Sequence, residues 1–243
     1  MRARRRTVTD ALPDEVGTHE GLAYALFLPA GTPHGAVVVL HGAGSQKENH
    51  LDTARVLQSH GFAALVPDQR GHGASPGALD GRALEDVAAL GALARERAGG
   101  APLALRGSSM GGWMALCAAR PAGAAAVVAI CPASSEGLRR GVAERRFTFA
   151  ADVPALEALL GGVSELDAAA GLAADDVPLL LLHAEGDEVV PVEHSREVHA
   201  VAVEAGVRSR LVVVPGGTHR TAQHDPELQA LTVRWLKREL GGR

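Results

Sequence analysis

The feature that most constrains this chain is an alternation. The short apolar runs AVVVLH (36–41), FAALVPD (62–68), PLALRG (102–107), AAVVAICP (125–132), PLLLLHAEGD (178–187) and SRLVVVPGG (209–217) are separated by longer segments. Continuous apolarity suits strands buried on both faces, and strands alternating with helical patterns build βαβ units around a mostly parallel sheet. The expected fold class is therefore α/β, a central sheet flanked by helices. Helical patterns fall near 47–60, 81–98, 110–120, 191–205 and 226–240, the last with Leu228, Leu231, Trp235 and Leu236 at helical spacing. Ahead of the first run, GLAYALFLP (21–29) reads as an antiparallel strand at the sheet edge.

One interval breaks the rhythm. Between Ala133 and Val177 no strand candidate occurs, and the gap is far longer than an ordinary crossover. Residues 133–177 carry two or three short helices' worth of pattern and read as an insertion within a single domain spanning 1–243. A chain of 243 residues with 47% hydrophobic content can bury the core such a domain needs. A formal net charge of -4 offers no basic field for nucleic acid. The opening MRARRRTVTD is not followed by an apolar run long enough for a secretory signal or a membrane span. It reads as a flexible arm or a short edge strand of a cytoplasmic protein. Cys117 and Cys131 sit in apolar segments without metal-ligand spacing, as small buried hydrophobes do.

The chemistry concentrates in LRGSSMGG (105–112), where Gly107-Ser108-Ser109-Met110-Gly111 matches G-x-S-x-G at the junction of a strand and a helical pattern. A sharp turn there strains the central residue and lifts its hydroxyl from the sheet, and glycines two positions away remove clashing side chains. Ser109 alone has both glycines, so it is the nucleophile candidate. Ser108 fills the position before it and is expected to be replaceable with most activity kept. A serine hydroxyl needs a base in hydrogen-bond reach and a carboxylate to fix that base's tautomer. Asp187 follows the next-to-last strand and His219 the last, both at the carboxyl edge where open α/β sheets bind ligands. His194 and His199, five apart in a helical segment, read as surface residues. His224 opens a helix start in HDPE, and Asp175 and Asp176 precede their strand at the wrong sheet edge.

These motifs resemble the α/β-hydrolase superfamily, in its small serine esterase, lipase and aminopeptidase-like branch, over nearly the whole chain from about residue 20. The resemblance implies a nucleophile, acid and base in that order, matched here by Ser109, Asp187 and His219. It also identifies LHGAGSQKE (40–48) as similar to the family's oxyanion turn, so the backbone N–H groups of Ala43 and Met110 are the implied oxyanion donors. His41 in that turn would order the loop. DQRGHGASPG (68–77) resembles a segment that shapes the pocket wall. The interval 133–177 occupies the place of the family's short helical cap, where Phe147 and Phe149 are candidate substrate-binding residues. Arg139, Arg140, Arg145 and Arg146 there read as a solvated face paired with Glu136 and Glu144, or else as a site for an acidic group.

The expected activity is hydrolysis of a small or medium carboxylic ester through an acyl-enzyme. Thioester and aminopeptidase-like amide cleavage use the same groups, and a ligand-binding protein on a hydrolase scaffold is the alternative of a different class. No cofactor, metal, nucleic acid or membrane span is expected. A small-molecule ester is the expected partner, and the sequence leaves the oligomeric state open.

Overall fold

The structure, a computed structural model, describes residues 11–241, and the basic arm 1–10 lies outside the described residues. The strands are β1 (Glu15–His19), β2 (Leu22–Phe27), β3 (Ala36–Leu40), β4 (Ala63–Pro67), β5 (Leu103–Ser108), β6 (Ala126–Ile130), β7 (Leu179–Ala184) and β8 (Ser209–Val214). They form one sheet in the order β1-β2-β4-β3-β5-β6-β7-β8. From β4 to β8 all neighbours are parallel, whereas β2 runs antiparallel to both of its neighbours, β1 and β4. The helices are α1 (Leu51–Ser59), α2 (Ala83–Arg97), α3 (Met110–Cys117), α4 (Ser135–Ala143), α5 (Val153–Gly162), α6 (Glu165–Gly171), α7 (Val192–Glu204), α8 (His219–Ala222) and α9 (Pro226–Leu240). Among the described residues, no helix is long and apolar enough to cross a membrane.

The apolar runs explain the layering. Along β3, Ala36, Val38 and Leu40 face one core, and Val37 and Val39 face the other. Because side chains alternate with period two, a run without polar positions must be covered on both sides. The first core takes residues from α2 to α7, and the second takes them from α1, α8 and α9. Helix α3 is buried from Met110 to Leu116, as expected of a helix apolar all round. Helix α9 starts where Asp225 accepts from the N–H groups of Glu227 and Leu228, with Pro226 first in the helix, where its missing N–H costs nothing.

Two expectations change. The GLAYALFLP strand is not the edge: β2 is buried at every position because β1 pairs along its outer side. Strand β1, EVGTH, alternates between exposed and partly buried residues and lacks the apolar run that flags the inner strands. Within 133–177, α4 and α5 pack on each other, whereas α6 packs on α3 and α7 and so covers the sheet as a crossover helix does. The two stems of this segment are joined. Trp113 Nε1–H donates to Ser135 Oγ at 2.8 Å, and Ser135 N–H donates to the buried Glu165 carboxylate at 3.1 Å.

Candidate active site

Strand β5 hands over to α3 at Ser109, whose φ of 54° and ψ of -120° are rarely adopted by a side-chain-bearing residue. Such strain persists only where the surroundings fix it. Ser109 N–H donates to Ile130 O at 2.9 Å, and its carbonyl accepts from Gly112, Trp113 and Ala133 at 2.9, 3.0 and 3.1 Å. A Cβ on Gly107 would lie 1.9 Å from Gly111 O, and one on Gly111 would lie 2.3 Å from Leu40 O. The glycines therefore serve close backbone approach. Met110 is the first residue of α3, so its N–H has no intrahelical acceptor.

Across the sheet edge, Asp187 follows β7 with its side chain fully buried. Its Oδ1 accepts from the N–H groups of Val189 and Val190, each at 2.8 Å, and its Oδ2 lies 2.6 Å from His219 Nδ1. Burial alone would raise this carboxyl's pKa. The His183 and His219 rings, with the Val190 and Val189 N–H groups, outweigh burial and hold it well below the usual carboxylate range. An ionised Asp187 makes His219 Nδ1 the donor and leaves Nε2 as the basic nitrogen. His219 opens the four-residue helix α8, where Thr218 and Thr221 form a reciprocal capping box.

The turn after β3 closes the third side. A Cβ on Gly42 would lie 3.3 Å from Ser109 Cβ, so this turn abuts the serine. Ala43, Ser109 and His219 line a cavity of about 480 Å³ together with Ser108, Asn49, Arg220, Gln223 and His224. Ser109 and His219 share it without a hydrogen bond between them among the described residues. His41 is fully buried and joins two loops: its Nδ1 lies 2.8 Å from Gly42 O, and its Nε2 accepts from Gln69 N–H at 3.0 Å. Burial pushes its pKa down to about 4, so the ring is neutral and structural.

On the cap side, Ala43 and Ser109 also border a cavity of about 280 Å³, with Leu138, Arg140, Arg146, Phe147, Val189 and Val190. Phe147 thus reaches the site. Phe149 lines neither cavity at Ser109, contrary to expectation, because its ring stacks on His72 at 4.3 Å and on Phe147 at 5.4 Å. The segment 68–77 is likewise a brace and not a wall. Asp68 is buried and accepts from Lys47 N–H, Lys47 Nζ and Ala74 N–H at 2.7, 2.6 and 2.8 Å. Arg140 pairs with Glu136 at 3.6 Å and Arg146 with Glu144. His194 and His199 are half-buried and engaged, which moderates the surface expectation: His194 sits 3.7 Å from the buried Glu165, and His199 Nδ1 lies 2.8 Å from Ser209 Oγ. His224 lines the larger cavity, and Asp175 and Asp176 pair with Arg120 and Arg208 away from it.

Sequence reasoning missed several neighbours of the site. Cys131 has a φ of 42° and lies with His183 and Asp187 so that their ligand-type atoms fall within 4.8 Å of one another. Burial pushes the Cys131 thiol well up, which keeps it protonated and poorly nucleophilic. His183 has Ser195 Oγ at 2.7 Å from Nδ1 and Val190 O at 3.0 Å from Nε2, so the trio is a hydrogen-bond network with its ring nitrogens already engaged. Gln223 accepts from Ser108 Oγ–H at 2.8 Å, and Arg106 Nη2 donates to Gln223 O at 3.0 Å. In the sequence, Arg106 is the charge within the apolar run 102–107.

Comparison with known proteins agrees with the fold. The family described as serine aminopeptidase, S33, matches residues 31–155, about half of the chain. An uncharacterized protein, YfhR, of Escherichia coli O157:H7 is 26% identical over 205 residues, covering 81% of this chain and 67% of its own. The fold is similar to that of Est1E from Butyrivibrio proteoclasticus with ferulic acid bound, at a TM-score of 0.72 and 20% identity, covering 94% of this chain and 100% of that one. A monoacylglycerol lipase of Paleococcus ferrophilus aligns with a TM-score of 0.68 and 22% identity, over 88% of this chain and 98% of its own.

Proposed function

Since this chain belongs to the serine aminopeptidase S33 family of the α/β-hydrolases, we propose that it hydrolyses carboxylic esters by acyl transfer at Ser109. The observation that carries this is the strained Ser109 sharing a cavity with His219, whose Nδ1 is held at 2.6 Å by the buried Asp187. Ser109 Oγ attacks the carbonyl carbon as His219 Nε2 takes the hydroxyl proton. Asp187 stabilises the resulting imidazolium. The N–H groups of Ala43 and Met110 bind the oxyanion, and His219 returns the proton to the departing alcohol. Water, activated by the same imidazole, then releases the acid and restores Ser109. The two cavities that meet at Ser109 supply separate room for the acyl and alcohol parts.

The family's description raises amide cleavage as the second reading, and the cavity linings favour esters over it. An aminopeptidase substrate carries an α-ammonium group that calls for a carboxylate partner. Among the described residues, the two cavities at Ser109 have no Asp or Glu in their lining but do have Arg140, Arg146 and Arg220. Est1E with bound ferulic acid and the monoacylglycerol lipase share the fold and lend support to the ester reading. A panel of p-nitrophenyl esters of increasing acyl length beside aminoacyl p-nitroanilides tests it. Esters are expected to exceed the anilides by at least about 100-fold in kcat/KM, and Ser109→Ala should lower ester turnover by on the order of 10⁴-fold or more. Faster anilide cleavage would assign an aminopeptidase, and an active Ser109→Ala would remove the nucleophile.

A further inference from the structure

The nucleophile sits at the junction of β5 and α3 and the base opens α8, and a part-buried clamp joins β5 to α8. Strand β5 ends Arg106-Gly107-Ser108 immediately before Ser109, and α8 runs from His219 to Ala222 with Gln223 as its C-cap. Ser108 Oγ–H donates to the Gln223 side-chain oxygen at 2.8 Å, and Arg106 Nη2 donates to the Gln223 carbonyl at 3.0 Å. Both ends of one residue are thus gripped by the strand that delivers Ser109.

The composition of the clamp is costly unless it has a use. Arg106 is 2% exposed, has no carboxylate partner among the described residues, and leaves its Nη1 without a hydrogen-bond partner. A buried guanidinium is normally paired, and leaving it unpaired works against folding. Its planar donors, however, can hold a backbone carbonyl in one place in a way that a flexible ammonium cannot. Helix α8 is four residues long, too short to hold its own orientation. Its capping box fixes only the N-terminal end, and Asp187 fixes only the imidazole.

We propose that Arg106 and Ser108 are positioning residues that, through Gln223, set the distance and angle between His219 and Ser109. This assignment rests on the triad proposed above. It revises the expectation that Ser108 is a mere filler beside the nucleophile: Ser108 is 3% exposed, and its hydroxyl is engaged. Since Ser109 and His219 are not hydrogen-bonded in this structure, the clamp governs how readily that gap closes during attack.

The test uses the full chain, with kcat and KM for a short p-nitrophenyl ester expressed per active site titrated by a fluorophosphonate. Ser108→Ala and Gln223→Ala are each expected to lower kcat about ten- to hundredfold with KM within about twofold, since a small misplacement of a catalytic group costs rate and not ground-state binding. The double variant should be no slower than the slower single one, because both remove the same link. Gln223→Glu, which keeps the acceptor, should recover most of the loss, and Arg106→Lys should behave like Gln223→Ala. Loss of stability alone would reduce the titrated fraction and leave kcat per site untouched. Unchanged kcat per site in Ser108→Ala and Gln223→Ala, or losses that multiply in the double variant, would overturn the clamp while the triad stands. A wild type that cannot be titrated would overturn the triad and the clamp with it.

Discussion

At the scale of single residues, the site depends on positions where backbone approaches backbone. Gly107 and Gly111 have ordinary φ values, and their need for hydrogen at Cα comes from carbonyls 1.9 and 2.3 Å from where a Cβ would stand. Backbone cannot yield as a flexible side chain does, so Gly107→Ala is expected to destabilise the fold by about 3 kcal/mol or more. Thermal unfolding is the check, and a midpoint within about 2 °C of wild type would contradict the geometry. The G-x-S-x-G pattern made this turn legible. Gln223 was not, because HRTAQH carries no signal that its glutamine closes on a strand more than a hundred positions away. Arg106 did carry a signal: a charge inside a run destined for burial on both faces needs a reason.

At the scale of elements, apolarity marked what the sheet buries and missed what only lies against it. The inner strands and long helices were readable because their side chains have nowhere to go but a core. Strand β1 is half exposed, and α8 holds only four residues. The loop from β3 into α1 shows a property no motif announced. His41 and His50 are both almost wholly buried, and their ring centroids lie 6.4 Å apart. Burial pushes their pKa values down to about 4 and about 3 from an ordinary 6.5, and the His72 and His224 rings shift in the same direction for the same first reason. As pH falls below 6.5 the unfolded chain takes up protons that the folded one refuses. Stability is therefore complete above 6.5 and erodes toward 4 and 3, by up to about 1.4 kcal/mol per pH unit for each ring. Calorimetry should find the unfolding midpoint lower at pH 5 than at pH 7.5, with a shallower slope in His50→Gln. A midpoint constant over that interval would show that these rings protonate in place.

At the scale of the whole molecule, the alternation of apolar runs and helical segments sufficed for the parallel sheet. The sheet in turn brings the loops after β3, β5, β7 and β8 to one edge. Residues as far apart in sequence as Ala43, Ser109 and His219 meet there because parallel strands all present the same end. What the sequence could not convey is the shape above that edge. The position of α4 and α5 is set by packing against each other, by Leu138, Val142, Leu156 and Leu160 joining the first core, and by the Trp113–Ser135–Glu165 knot at their stems, and these are contacts between distant positions. On the proposed function, this edge holds one activated serine, Ser109. Its most direct test is mass spectrometry of the intact chain after treatment with a fluorophosphonate, followed by peptide mapping. A single adduct is expected on the peptide bearing Ser109, absent in Ser109→Ala and slowed in Asp187→Asn. No adduct on the folded wild type, or an adduct that persists in Ser109→Ala, would contradict it.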